Sequence, residues 1–138
     1  MGTKVPVEGS EIISVTSSDD VVRVRQAVRT NAVKVGFSLV DQTKIITAAS
    51  EIARNTVDYG GGGTLHIELL REGARRGLKL TFADEGPGIP DIDRALTDGY
   101  TTGSGLGLGL SGAKRLCNEF AVKSTPGSGT IVTLARWR

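Results

Sequence analysis

The apolar positions of this chain change period along its length, and each change marks an element. Residues 11–16 are a β-branched run that predicts a strand. Beyond it, Ser17-Ser18-Asp19-Asp20 offers a capping box, and Val21, Val24, Val28 and Val35 recur near helical spacing. This predicts a helix over residues 19–35, closed by Gly36. Ser38-Leu39-Val40-Asp41 repeats the capping signal. The helix it opens, over 41–58, carries Ile45, Ala49, Ile52, Ala53 and Thr56 on one side and ends at Gly60–Gly63.

The period then falls to two. Leu65, Ile67 and Leu69 share one face of a strand over 64–71. Leu78, Leu80 and Phe82 share one face of a second over 78–84, and the charged turn between them makes a hairpin. Residues 84–90 are irregular, since Gly86, Pro87, Gly88 and Pro90 interrupt any period. A short helix over 91–96, a loop over 98–105 and a helix over 106–120 follow; the last is built on Leu106, Leu110, Ala113, Leu116, Cys117 and Phe120. Strands over 121–124 and 130–137 flank a Pro126-Gly127-Ser128-Gly129 turn. The expected fold is α+β: a two-layer sandwich in which helices pack on one face of a mixed, largely antiparallel sheet. Residues 1–9 read as a flexible lead and residues 10–138 as a single domain.

Composition narrows the chemistry. Seventeen basic and 15 acidic residues leave a net charge of +2, too balanced to argue for nucleic acid or a membrane surface. The single cysteine, Cys117, excludes an internal disulfide, and with His66 far from it a zinc or Cys/His nucleophilic site has little support. No apolar run approaches the roughly 18 residues of a bilayer span. The first ten residues lack the build of a signal peptide, so a cytoplasmic location is the expectation. Glycine stands out. The 19 glycines cluster at 60–63, 86–88 and 99–112, where backbone approaches a ligand or adopts positive φ.

Three stretches carry candidate chemistry. In the second helix, Glu51 and Asn55 lie i, i+4, about 40° apart at the edge of the apolar arc. An amide oxygen suits Mg²⁺ and a carboxylate can deprotonate a hydroxyl; a plain polar helix flank is the alternative. Asp84 continues the inward period of Leu78, Leu80 and Phe82. It therefore turns toward the core, where it accepts from a ligand amino group or caps its own turn. Gly86 and Gly88 leave room beside it. Finally, Gly103, Gly105, Gly107 and Gly109 alternate at a helix start, with hydroxyls at Thr101, Thr102 and Ser104. Backbone N–H groups there suit phosphate, whereas a merely flexible loop is the simpler reading.

Two familiar strings fail. Gly107-Leu108-Gly109-Leu110-Ser111-Gly112 has dinucleotide-fingerprint spacing but follows a loop and lacks the later acidic residue. The chain contains neither a P-loop string nor the signatures of the common eukaryotic-type kinases.

Taken in order, these stretches resemble the GHKL (Bergerat) ATP-binding superfamily: Glu51 to Asn55 its N box, Asp84-x-Gly86-x-Gly88 its first glycine box, Gly103 to Gly109 its second, and Gly129-Thr130 its closing threonine element. Within it the chain is most similar to the RsbT-like serine/threonine kinases of the anti-sigma-factor kinase group. The similarity runs through Val40-Asp41-Gln42, Ser50 to Asn55, Gly77-Leu78-Lys79, Asp84 to Ile92, Asp98-Gly99-Tyr100, Lys114-Arg115-Leu116 and Trp137.

The resemblance implies ATP and Mg²⁺ as cofactors. Asn55 would hold the metal on the phosphates, and Asp84 would accept from the adenine amino group, with a water shared with Thr130. Gly86 and Gly88 would line the base pocket. Thr102, Gly103, Gly105, Leu106, Gly107 and Gly109 would form a phosphate lid, and Glu51 would act as the base. It also implies STAS-domain partners (RsbS/RsbR-like) of a stressosome, and a PP2C-type phosphatase or other output enzyme once released. An ATP-dependent sequestering module with little catalysis is the competing function. Gly60–Gly63 is longer than the family's pattern and predicts a loosened helix end; Arg54 is left to contact either phosphate or partner.

Overall fold

The computed structural model describes residues 7–89 and 110–138. In chain order the elements are β1 (Val7–Val15), α1 (Ser18–Lys34), α2 (Leu39–Asp58), β2 (Gly63–Glu72), β3 (Arg75–Asp84), α3 (Leu110–Arg115), β4 (Glu119–Thr125) and β5 (Gly129–Trp137). The strands form one sheet in the order β1-β2-β3-β5-β4. Every pairing described is antiparallel, so the parallel component that a mixed sheet allows is absent among the described residues.

Both long helices begin where short polar side chains replace missing backbone partners. The Asp20 carboxylate accepts from the Thr16 and Ser17 amides at 2.9 and 3.3 Å and from the Thr16 hydroxyl at 3.0 Å. These donors hold its carboxyl below the ordinary carboxylate range. The Ser38 hydroxyl accepts from the Asp41 amide at 3.2 Å. The valine period of α1 and the Ile45/Ala49/Ile52 period of α2 are buried against Leu65, Ile67, Leu78, Leu80, Phe82 and Leu134 of the sheet. Burial of each such aliphatic side chain contributes roughly 1.5–3 kcal/mol. The two layers are therefore those expected, with helices on one face.

Two boundaries depart from expectation. β1 begins at Val7, inside the expected flexible lead, because Val7 and Gly9 already pair with Leu70 and Leu69 of β2. The helix expected over 106–120 stops at Arg115, and Phe120 sits in β4. The cause is competition from the sheet. The Asn118 amide donates to Ala135 at 2.9 Å, and the Asn118 side-chain oxygen accepts from the Trp137 amide at 2.7 Å. Leu116, Cys117 and Phe120 still pack against the core, so their apolar pattern is real but its period is not helical. The short helix expected at 91–96 and the loop at 98–105 lie outside the described residues.

Candidate active site

Where α2 crosses the ends of β3 and β5, the packed layers part into a cleft of about 520 Å³, counting its open mouth. α2 contributes Ile52, Asn55 and Thr56; β3 contributes Phe82 and Asp84; β5 contributes Thr130 and Val132. Tyr59, Gly60, Gly88, Ile89 and Leu110 complete the lining. The walls are mainly apolar, and a few polar groups converge on them, as a flat heterocycle with one polar edge requires.

The strand period delivers Asp84 as expected. It follows Leu78, Leu80 and Phe82 on the helix-covered face, and it stands opposite Thr130 across the β3–β5 ladder. One carboxylate oxygen accepts from the Gly86 amide at 2.9 Å. The turn-capping role and the inward-facing role thus coexist in one side chain.

Asn55 lines the same cleft from α2. Glu51 is half-buried one helical turn earlier, but it is not among the lining residues. Gly88 is in the lining and Gly86 is not. Arg54 points away, into a surface groove with Val22, Arg25 and Asp58. Thr102, Gly103, Gly105, Leu106, Gly107 and Gly109 lie outside the described residues.

The glycine run behind α2 does not loosen the helix. The Tyr59 and Gly60 amides both donate to the Asn55 carbonyl, at 2.9 and 3.2 Å, and the Gly62 amide donates to Thr56 at 2.9 Å. Gly61 and Gly62 take φ of +72° and +105°, conformations that close the helix in the left-handed region. Gly60 is needed for another reason: a Cβ there would run into the Asp84 side chain, and a Cβ on Gly86 would run into the Gly60 backbone. The expectation of a pliable helix end is therefore corrected; the run is a tightly bonded cap.

Several contributors were not singled out from sequence. The Gly127 amide donates to the Pro87 carbonyl at 2.8 Å, and the Ile89 amide donates to the Ser124 hydroxyl at 2.7 Å. These bonds clasp the β4–β5 turn onto the 86–89 stretch, and Gly88, at φ +79°, packs against the Thr125 carbonyl. Tyr59, Phe82 and Val132 gave no signal beyond ordinary core and cap positions. Ser124 could have been found from its place directly across β4–β5 from Thr130.

With this geometry in place, the sequence pattern of the "Histidine kinase-, DNA gyrase B-, and HSP90-like ATPase" family matches residues 40–138. The chain belongs to that family. The family match covers every element of the cleft, from α2 to β5. The chain is 46% identical over 118 residues to Serine/threonine-protein kinase RsbT of Bacillus subtilis (strain 168), covering 86% of this chain and 89% of that one. It is 30% identical over 118 residues to Anti-sigma F factor of Thermoanaerobacter sp. (strain X514), covering 82% of each. A crystal structure of the RsbU and RsbW domains of Rv1364c from Mycobacterium tuberculosis shares the fold, with a TM-score of 0.65 at 19% identity. That alignment covers 94% of this chain and spans a third (33%) of the larger one. Within the family the chain is RsbT-like, an enzyme of the ATP-dependent serine/threonine-kinase kind. No helix among the described residues is long and apolar enough to cross a membrane.

Proposed function

We propose that this kinase works as a stress-signalling switch. It phosphorylates a serine or threonine of a STAS-domain partner in a stressosome-type complex. Once released, it binds and activates an output enzyme such as a PP2C-type phosphatase. The observation that carries the site reading is the convergence of Asn55, Asp84 and Thr130 on one largely apolar cleft. The donor set fits Mg-ATP: a carboxylate that only accepts suits an exocyclic amino group, apolar walls suit a purine, and an amide oxygen suits a hard cation.

Each residue then has a distinct task. Asp84 fixes the base, and Thr130, opposite it, offers a hydroxyl to the same edge. Asn55 holds Mg²⁺ against the phosphates. Glu51, one turn up the same helix, takes the proton from the partner's hydroxyl. When bound, Mg-ATP supplies the phosphoryl group and the charge neutralisation on which such transfers chiefly depend. Thr102, Gly103, Gly105, Leu106, Gly107 and Gly109 are proposed to close on the phosphates as a lid.

The test is incubation of the chain with γ-labelled ATP and purified STAS-domain proteins of the RsbS/RsbR kind. Label should appear on a serine or threonine of the partner. ATP-dependent complex formation with no label transferred, under conditions where the complex is stable, would instead establish the sequestering function that the likeness to Anti-sigma F factor raises.

A further inference from the structure

Outside the cleft lining, the geometry points to Ser124 as a positioning residue that sets the nucleotide affinity of the site by tying two of its walls together. The inference rests on the reading of the cleft as an ATP site. Ser124 lies on β4, directly across from Thr130, and is not among the lining residues. Its hydroxyl accepts from the Ile89 amide at 2.7 Å and donates to the Gly129 carbonyl at 3.1 Å. With that hydrogen committed, the 2.9 Å contact between the Ser124 and Thr130 hydroxyls has Thr130 as its donor.

One hydroxyl thus engages its single hydrogen and both lone pairs with two separate pieces of the cleft. The first piece is the irregular stretch that follows β3 and supplies Gly88 and Ile89 to the lining. The second is the start of β5, which supplies Thr130. The stretch lies outside the strands, so its place depends on individual bonds. The Gly86 amide donates to Asp84 at 2.9 Å, the Gly127 amide to the Pro87 carbonyl at 2.8 Å, and the Ile89 amide to Ser124. Of these three, the Ser124 bond alone is made by a side chain outside the cleft, and it holds the end of the stretch that the other two do not reach.

Bridging an amide to a carbonyl takes a group that accepts and donates at once. A serine or threonine hydroxyl does both, and an alanine methyl does neither. Without the hydroxyl, the Ile89 amide and the Gly129 carbonyl lose their common partner, and the wall made by Gly88 and Ile89 is held only at its Gly86–Pro87 end. A wall in place for part of the time lowers the apparent affinity in proportion to that fraction. This wall shares the cleft with Asp84, the residue assigned to the base. The loss therefore falls on the part of the ligand that ATP and ADP have in common. A residue acting through the phosphates would instead change the ratio of the two affinities. Ser124 touches no nucleotide in this scheme and acts through the Ile89 amide and the Gly129 carbonyl.

The experiment measures dissociation constants of Mg-ATP and Mg-ADP for the unmodified chain, Ser124→Ala, Ser124→Thr and Val28→Ala. Val28 is fully buried in the core on α1 and is not among the lining residues, so its truncation lowers stability without touching the clasp. One hydrogen bond of ordinary net strength corresponds to about 2–10-fold in affinity. Ser124→Ala is expected to weaken ATP and ADP by one common factor in that range. Ser124→Thr, which keeps the hydroxyl, should return both to within about twofold of the unmodified chain, and folded Val28→Ala should bind as the unmodified chain does. Unchanged affinities in Ser124→Ala would overturn the inference. So would a loss in Ser124→Thr as large as in Ser124→Ala, since the hydroxyl would then not be the operative group. A loss in Val28→Ala equal to that in Ser124→Ala would reduce the effect to general stability, and a loss confined to ATP would move it to the phosphates; either result ends the proposal. Failure of the unmodified chain to bind either nucleotide is a different result, since it removes the nucleotide reading of the cleft itself.

Discussion

Gly60 lies against Asp84 so closely that a Cβ at position 60 would stand 2.6 Å from the Asp84 Oδ2 atom. The helix cap and the strand-end carboxylate therefore share one packed contact. Any side chain at 60 must displace the carboxylate from the cleft. Gly60→Ala is expected to cost about 1–3 kcal/mol as an overpacking substitution. Its sharper effect should be on ligand binding. The unmodified chain should be stabilised by saturating Mg-ATP through mass action, and Gly60→Ala should lose most of that gain. Thermal unfolding with and without Mg-ATP reads both quantities. A variant that keeps the full ATP-dependent rise in Tm would show that Asp84 does not hold the base.

The Glu51 prediction separates chemistry from binding. Glu51 stands one turn from Asn55, half-buried and outside the cleft lining. Glu51→Ala should therefore leave ATP affinity within about threefold, a small change on the scale where 1.4 kcal/mol is tenfold. Phosphotransfer should fall by about 10²–10⁴-fold, the usual contribution of a positioned general base. Labelled transfer and nucleotide titration on the same preparation settle it. Transfer at the original rate would remove Glu51 from the mechanism.

Part of the polar lining of the cleft was legible: Asn55, Asp84 and Gly88 from the residues, and Thr130 through the resemblance. The inward turn of Asp84 follows from a strict period of two over Leu78, Leu80 and Phe82. Helical spacing puts Glu51 one turn from Asn55, but only Asn55 lines the cleft. The long helices were legible for the same reason, since valine and isoleucine repeats span several turns. Local signals failed where a distant strand competed with them. At Leu116 to Phe120 the apolar residues fit a helix, but hydrogen bonds from Asn118 to β5 draw the chain into the sheet. The glycine run misleads because its partners, Asp84 and Ala83, come from β3, a strand distant in sequence. Ser124 carried no local signal; only its register opposite Thr130 across β4–β5 points to it.

Acid stability should depend on the start of α2. Arg136 donates to Asp41 at 2.6 Å and to the Leu116 carbonyl at 2.8 Å, joining the helix N-terminus to β5. The Arg136 hydrogen bond, helped by its charge, holds the Asp41 carboxyl below its ordinary value of 3.8. A depressed folded-state pKa contributes stability that is present above the unfolded value and lost as pH falls through the folded one. Stability should therefore decline as pH drops below about 4, with the Asp20 cap contributing in the same direction. Urea unfolding from pH 6 to pH 2.5 tests this. Asp41→Asn should flatten the acid limb and lower the plateau near neutrality; a limb of unchanged slope would contradict it.

Cys117 offers an independent check on the packing at that corner. Burial pushes its thiol up to about 11, against an opposing pull from the Arg136 charge. The thiolate is the reactive form, so alkylation at pH 8 should run about 100-fold slower than at a solvent-exposed cysteine of ordinary acidity. Arg136→Ala removes a nearby charge that favours the thiolate. In a variant that remains folded, the pH at which alkylation accelerates should move higher still. If the corner opens instead, reactivity rises toward that of the unfolded chain at every pH. The pH profile of iodoacetamide labelling, taken alongside circular dichroism, tells these outcomes apart. Rapid labelling of the folded native chain at pH 8 would mean that Leu116, Cys117 and Arg136 do not close over one another as described.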